Sequence, residues 1–166
     1  MTTTRWMAAA LLLAVAPAWA AEATRDNSTL AARSEAVFGK QAGQSFDAQV
    51  LKPSAGAPRT ETVTMTLKPG KGAEVQAELD AGQGLVFHWS ASADVAVDLH
   101  GERPDSQSEY TSYDIEASQR EGAGTLVAPF AGTHGWFWKN RSQQPVTVTV
   151  TITGFYNRLV CHGGQP

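Results

Sequence analysis

The chain has very little cysteine, since Cys161 is the only one among its 166 residues. A single thiol excludes an internal disulfide, so the fold cannot depend on the bridges that stabilise many small secreted domains. Cys161 lies close to the C-terminus, where chains are usually poorly ordered. We therefore predict either a free thiol on a loose tail or a Cys161-linked dimer.

The chain also lacks a concentration of basic residues. It carries 13 Lys and Arg against 16 Asp and Glu, for a net charge of −3, and these charges are scattered. Nucleic acids and anionic membrane surfaces are usually bound by a basic stripe or patch. The composition therefore argues against both as partners.

Long apolar runs are absent as well. The longest run, residues 7–16, is roughly half of the ~20 residues that a spanning helix needs. Together with Arg5 before it and Ala18-Trp19-Ala20 after it, this run has the three parts of a secretory signal peptide. We predict cleavage after Ala20 and a mature chain, residues 21–166, in the periplasm or secreted. The alternative is an uncleaved membrane anchor through residues 6–20.

Residues 21–60 are polar and precede the regular part of the chain. Their apolar positions predict a short helix over residues 28–38, capped by Ser28 or Asn27 and ended by Gly39. The residues at helical spacing are Leu30, Ser34, Val37 and Phe38. Residues 41–59 include Pro53, Gly56 and Pro58, and we interpret them as a linker.

From residue 61 to residue 157 the hydrophobic period changes to two. Short alternating runs divided by Gly, Pro, Asn and Asp turns predict an all-β fold, an antiparallel β-sandwich of about eight strands with jelly-roll character. The predicted strands are 61–67, 73–79, 85–90, 94–99, 110–115, 124–129, 135–140 and 146–155. We interpret residues 158–166 as a C-terminal tail.

Motifs that would carry catalysis are missing. The sequence has no Gly-x-Ser-x-Gly nucleophile elbow, no His-Glu-x-x-His and no glycine-rich phosphate loop. We therefore predict that the chain is not an enzyme and needs no organic cofactor. The interpretation that remains is a non-catalytic exported module that binds a protein or another envelope component.

A set of histidines and acids suggests a metal-binding alternative. Asp98, His100 and Glu102 are two residues apart, so a strand places them on one face. If the fold also brings His88 and His134 to His100, the site would suit copper or zinc. The alternative for His100 and His134 is structural, with each ring N–H donated to a backbone carbonyl or to Asp98.

The aromatic residues allow a third interpretation. Trp136 and Trp138 share a strand face with His134. Exposed, they would form a sugar-binding platform with Tyr110 and Tyr113 at its rim, as in a carbohydrate-binding module. Buried, they would form part of the core, because aromatic side chains dominate the cores of small domains.

Two motifs together resemble a family of small bacterial envelope proteins whose members are often labelled "transmembrane anchor protein". The first is Asp98-Leu99-His100-Gly101-Glu102, and the second is His134-Gly135-Trp136-Phe137-Trp138-Lys139-Asn140-Arg141. The resemblance covers residues 61–157 and implies an envelope location. Family members tend to carry a longer N-terminal membrane helix, whereas this chain has a short run with a cleavage site. The strand pattern is also similar to the extracytoplasmic β-sandwich of p24/GOLD-type proteins, which concerns the fold alone.

Overall fold

The computed structural model describes residues 26–106 and 109–164. The described residues divide into two compact units, with the boundary between residues 55 and 56. The predicted signal peptide and its cleavage site lie outside the described residues. Within the described ranges, no helix is both long enough and apolar enough to span a membrane.

The first unit contains the helix α1, Asn27–Phe38. The Asp26 carboxylate caps it by accepting a hydrogen bond from the backbone N–H of Thr29 at 2.7 Å. This bond is the main reason why the pKa of Asp26 is lowered to about 2. The predicted helix is thus confirmed, and it ends at Gly39 as expected. Its cap, however, is Asp26, since the helix starts earlier than the apolar pattern indicates.

Within its described residues, the second unit contains seven strands. They are β1 (Arg59–Leu67), β2 (Gly72–Leu79), β3 (Gly84–Glu102), β4 (Tyr110–Val127), β5 (Gly132–Lys139), β6 (Val146–Gly154) and β7 (Leu159–Gly163). They form one antiparallel sheet in the order β1-β6-β3-β5-β2-β7, with β4 paired to β3. The predicted all-β antiparallel fold is confirmed, with seven strands in place of about eight.

The strand boundaries differ from the sequence prediction for two reasons. Register shifts between Ser90 and Val95 turn the chain without ending β3, so two predicted strands are one. Most of β4 is exposed on both faces, so its middle shows no hydrophobic alternation and was not predicted as strand. The expected tail contributes β7, because its backbone pairs with the edge of β2.

β3 is shared by two halves of the curled sheet. Its residues 85–91 pair with β6, and its residues 96–102 pair with β5. We call β1, β6 and residues 85–91 the first half-sheet, and β7, β2, β5 and residues 96–102 the second half-sheet. This division decides which of the sequence motifs lie close enough to contact each other.

The inward-facing side chains of the two half-sheets form one core. Trp89 of the first half-sheet and Trp138 of the second lie edge to face, with ring centroids 5.8 Å apart. The largest fully buried side chains include Leu67, Val75, Leu79, Trp136, Val146, Val148, Val150 and Ile152. Since this core covers one face of each half-sheet, a ligand site on the second half-sheet is expected on its opposite, outer face.

Candidate metal site on the outer face of the second half-sheet

His100 and His134 occupy neighbouring register pairs but lie on opposite faces of the sheet. His100 pairs with Gly135, and Gly101 pairs with His134. Because side chains alternate along a strand, His134 points into the core and His100 points outward. His88 is exposed on the first half-sheet, where it pairs with Thr151. The structure therefore does not bring the three predicted histidines together.

His134 makes both of its hydrogen bonds inside the protein. Its Nε2–H donates to the carbonyl oxygen of Phe130 at 2.9 Å, and its Nδ1 accepts from the Tyr113 hydroxyl at 2.9 Å. Both partners suit a neutral ring, which burial favours because it lowers the pKa of His134. Both ring nitrogens of His134 therefore have hydrogen-bond partners on the core side, which is the arrangement that the structural alternative describes.

Two glycines make room for the two histidines. A Cβ at Gly101 would lie 2.2 Å from the Tyr113 hydroxyl oxygen and 2.4 Å from His134 Nδ1. On the outer face, Gly135 of β5 lies between β3 and β2, so the His100 ring can extend across β5. Gly101 of the first motif therefore lies beside His134 of the second motif. Gly135 of the second motif lies beside His100 of the first.

The His100 ring reaches two acidic side chains on the outer face. Its Nε2 lies 2.8 Å from Glu74 Oε1 and 3.6 Å from Glu102 Oε1. The Gln76 amide lies 3.3 Å from the same nitrogen. The His100 side chain is only 6% exposed. The hydrogen bond with Glu74 raises the pKa of His100 despite the burial of the ring.

Glu74, His100 and Glu102 form the group that could hold a metal among the described residues. One ligand atom of each lies within 4.8 Å of the others. We call these three residues the His100 cluster. Asp98 lies beside it, with Oδ1 4.0 Å from His100 Nδ1, and this oxygen is buried without a hydrogen-bond partner. The predicted Asp98-His100-Glu102 face is therefore present.

Glu74 is the member that sequence reasoning missed. It precedes His100 by 26 positions and lies on β2, two strands away from β3. Its alternation with Gln76 and Glu78 is typical of any solvated strand face. No local signal in the sequence distinguishes it from the other acidic residues.

The predicted aromatic platform is wrong for both tryptophans. Trp136 and Trp138 are 1% and 0% exposed, because they point into the core with their ring centroids 6.1 Å apart. Tyr113 is half-buried and bonded to His134. Tyr110 is exposed and lies against the His100 ring at 5.3 Å between centroids. A carbohydrate cannot stack on the two buried indoles.

The turn after the second motif is held by a buried asparagine. Asn140 donates to the carbonyl oxygens of Leu67 and Gln144 at 3.0 and 2.7 Å. Its side-chain oxygen accepts from the backbone N–H of Ser142 at 2.8 Å. Asn140 thus fixes the β5–β6 connection.

Cys161 is a free, exposed cysteine on the edge strand β7. Partial burial of the thiol, together with the nearby Glu61 carboxylate, raises the pKa of Cys161. The thiol form is therefore favoured over the reactive thiolate. A Cys161-linked dimer stays a prediction.

Burial of neutral His134 predicts a loss of stability in acid. The lowered pKa means that the unfolded chain, with its ordinary value of 6.5, binds the proton first as the pH falls. The stabilising contribution of His134 is therefore complete above pH 6.5 and is lost below it. We expect the difference in unfolding free energy between the wild type and His134→Gln to become smaller as the pH is lowered from 7.5 to 5.5. Urea denaturation in the presence of a metal chelator measures this difference.

Histidine NMR provides the direct check of this prediction. The His134 ring of the folded protein should titrate below pH 6.5, with Tyr113 and Arg103 as the groups that face it. A His134 midpoint above 6.5, or a stability difference that grows in acid, would contradict the neutral buried ring.

Comparisons with known proteins find solved structures of low similarity to this chain. No family model and no curated protein matches the chain. The Yersinia pseudotuberculosis-derived mitogen is similar over 58% of this chain and 86% of its own, with 14% identity and a TM-score of 0.41. PliG from Aeromonas hydrophila, a periplasmic inhibitor of g-type lysozyme, is similar over 63% of this chain and 92% of its own, with 12% identity and a TM-score of 0.44.

Proposed function

We propose that this chain is a non-catalytic binding module of the bacterial envelope and that its ligand is a divalent transition metal. The single observation that carries the metal proposal is the convergence of Glu74 and Glu102 on one buried nitrogen of His100. The signal-peptide pattern and the envelope-family resemblance support the location. The absence of catalytic motifs supports a binding role.

The hydrogen bonding of His100 leaves the cluster incompletely satisfied. Nε2 carries at most one proton, yet two carboxylates and the Gln76 amide all lie around it. One N–H cannot make strong hydrogen bonds to both carboxylates, and two acids held near each other repel. A divalent cation would bind the imidazole and both carboxylates at once, with the ring deprotonated.

The donor set indicates which metals are expected. One imidazole and two carboxylates offer nitrogen and oxygen ligands, and the described cluster contains no thiolate. Such a set suits Zn(II) and Cu(II), and Cu(II) binds most N/O sites more tightly than Zn(II). Three protein ligands would leave at least one coordination position for water or another ligand.

Calorimetry with Zn(II) and Cu(II) on the mature chain tests the proposal. We expect one metal per chain and a loss of affinity of about 100-fold or more in His100→Ala, because removing a direct ligand should exceed the 10–100-fold typical of supporting residues. Glu74→Gln keeps the size of the side chain and should also weaken binding.

His88→Ala is the matched control for this experiment. It removes an exposed histidine from the outer face of the first half-sheet, away from Glu74 and Glu102. It should bind both metals like the wild type, with circular dichroism confirming that each variant is folded. Equal binding heats for the wild type and folded His100→Ala would overturn the proposal.

A further inference from the structure

A further histidine, His162, lies beside the His100 cluster on the outer face of the second half-sheet. It belongs to the edge strand β7 and pairs directly with Glu74 of β2. Directly opposite residues of antiparallel strands point to the same face, with Cβ atoms about 4.5–5.5 Å apart. Since Glu74 meets His100 on the outer face, His162 projects from that face as well. His162 and Glu102 also line one cleft, of about 580 Å³, so open space lies between them.

The His162 ring is not engaged elsewhere. It is exposed, and it makes no hydrogen bond or ion pair among the described residues. Its nitrogens are not within the 4.8 Å that joins the ligand atoms of the His100 cluster. Rotation between side-chain rotamers can move the ring toward Glu74 and leave the backbone unchanged.

The backbone next to His162 is held close to β2 by a glycine. Gly163 pairs with Ala73, and an added Cβ there would lie 2.8 Å from the Gly72 carbonyl oxygen. Gly163 also has a φ of 67°, in the region that favours glycine. His162 therefore combines a fixed backbone position beside Glu74 with a ring that can rotate.

We propose that His162 is a fourth protein ligand of the metal, so that the cation joins β7 to β3 through two imidazoles. This inference rests on the proposed metal site, whose three ligands leave a coordination position open. Four protein ligands complete the tetrahedral set of a structural zinc site, whereas catalytic zinc sites keep one position for water. A second imidazole also favours Zn(II) and Cu(II) over Mg(II) and Ca(II). The site would then hold its metal without activating a water.

Metal binding through His162 would also stabilise the pairing of β7 with β2. β7 is a short strand, Leu159–Gly163, at the end of the sheet order, with β2 as its one neighbour among the described strands. Strands with few buried contacts open more readily than core strands, and amide hydrogen exchange reports this opening. We therefore expect zinc to slow amide exchange in β7.

NMR of the histidine rings in the mature chain tests which of them bind zinc. The chain has four histidines. Zinc should shift the ring nitrogen resonances of both His100 and His162, because direct coordination changes the shielding of the bound nitrogen. The rings of His88 and His134 should keep their resonances, since one lies on the first half-sheet and the other points into the core.

His162→Ala and His88→Ala form a matched pair for zinc calorimetry, because each removes an exposed histidine from a strand. We expect His162→Ala to bind zinc about tenfold or more weakly than the wild type, at least the lower end of the 10–100-fold typical of supporting residues. His88→Ala should bind like the wild type. Zinc should no longer slow amide exchange in β7 of His162→Ala.

The two proposals fail in distinguishable ways. If zinc binds the wild type and folded His100→Ala equally, the metal site itself is wrong. If zinc binding depends on His100 but folded His162→Ala binds zinc as tightly as the wild type, His162 is not a ligand and the three-residue site stands. Unshifted His162 nitrogen resonances in the zinc-loaded wild type would lead to the same conclusion.

Discussion

Gly135→Ala is expected to destabilise the protein by about 3 kcal/mol or more, at the upper end of overpacking effects. A Cβ at this position would lie 2.0 Å from the Val75 carbonyl oxygen and 2.6 Å from the Gln76 Cα. Both are backbone atoms of β2, so the clash cannot be relieved by rotating a side chain. Relief would require β2 and β5 to separate, which breaks their hydrogen bonds.

Urea denaturation of Gly135→Ala beside Gly84→Ala measures this effect. At Gly84 the nearest atom to an added Cβ is the Leu126 carbonyl oxygen at 3.4 Å, an ordinary contact. The control should therefore lose no more than about 1 kcal/mol, as is usual for substitutions without a specific clash. Equal stabilities of the two variants would contradict the close approach of the β2 backbone to Gly135.

Trp138→Ala should cost about 3–5 kcal/mol, the usual range for emptying an aromatic site in a core. The Trp138 ring packs between the two half-sheets, against Trp89 and Trp136. Its Nε1 is buried without a hydrogen-bond partner among the described residues. Trp138→Phe keeps most ring contacts and removes that unpaired donor. It should therefore lose much less stability than the alanine variant.

Phe137→Ala is the neighbouring control for the tryptophan. Phe137 points outward from the same strand and is 38% exposed. Its truncation should cost clearly less than that of Trp138, in thermal or urea unfolding. A Phe137→Ala loss as large as that of Trp138→Ala would contradict the assignment of the inner and outer faces of β5.

The candidate metal site and the fold are linked through the two motifs. Gly101 leaves room for the bond between Tyr113 and His134, and Gly135 lies beside His100. The pairing of β3 with β5 therefore positions a structural histidine on one face and a candidate ligand on the other. A one-residue shift of β5 against β3 would turn His134 to the outer face, while His100 on β3 would keep its face.

The sequence by itself determined the fold class and much of the local geometry. Alternation between apolar and polar residues is a property of each extended segment, so it can be read without knowing the neighbouring strands. It correctly placed Asp98, His100 and Glu102 on one face and Trp136 with Trp138 on another. It failed where alternation is lost, in the exposed middle of β4 and in the short edge strand β7.

Only the tertiary structure shows which strands are adjacent and which of their side chains contact each other. Glu74 joins His100 because β2, β5 and β3 are adjacent and because Gly135 lets the imidazole extend across β5. His134 and His88 are separated from His100 by the sheet itself and by the division into half-sheets. Strand order and register arise from packing between segments that are distant along the chain. A single sequence records each segment's pattern, but not which distant segment lies beside it.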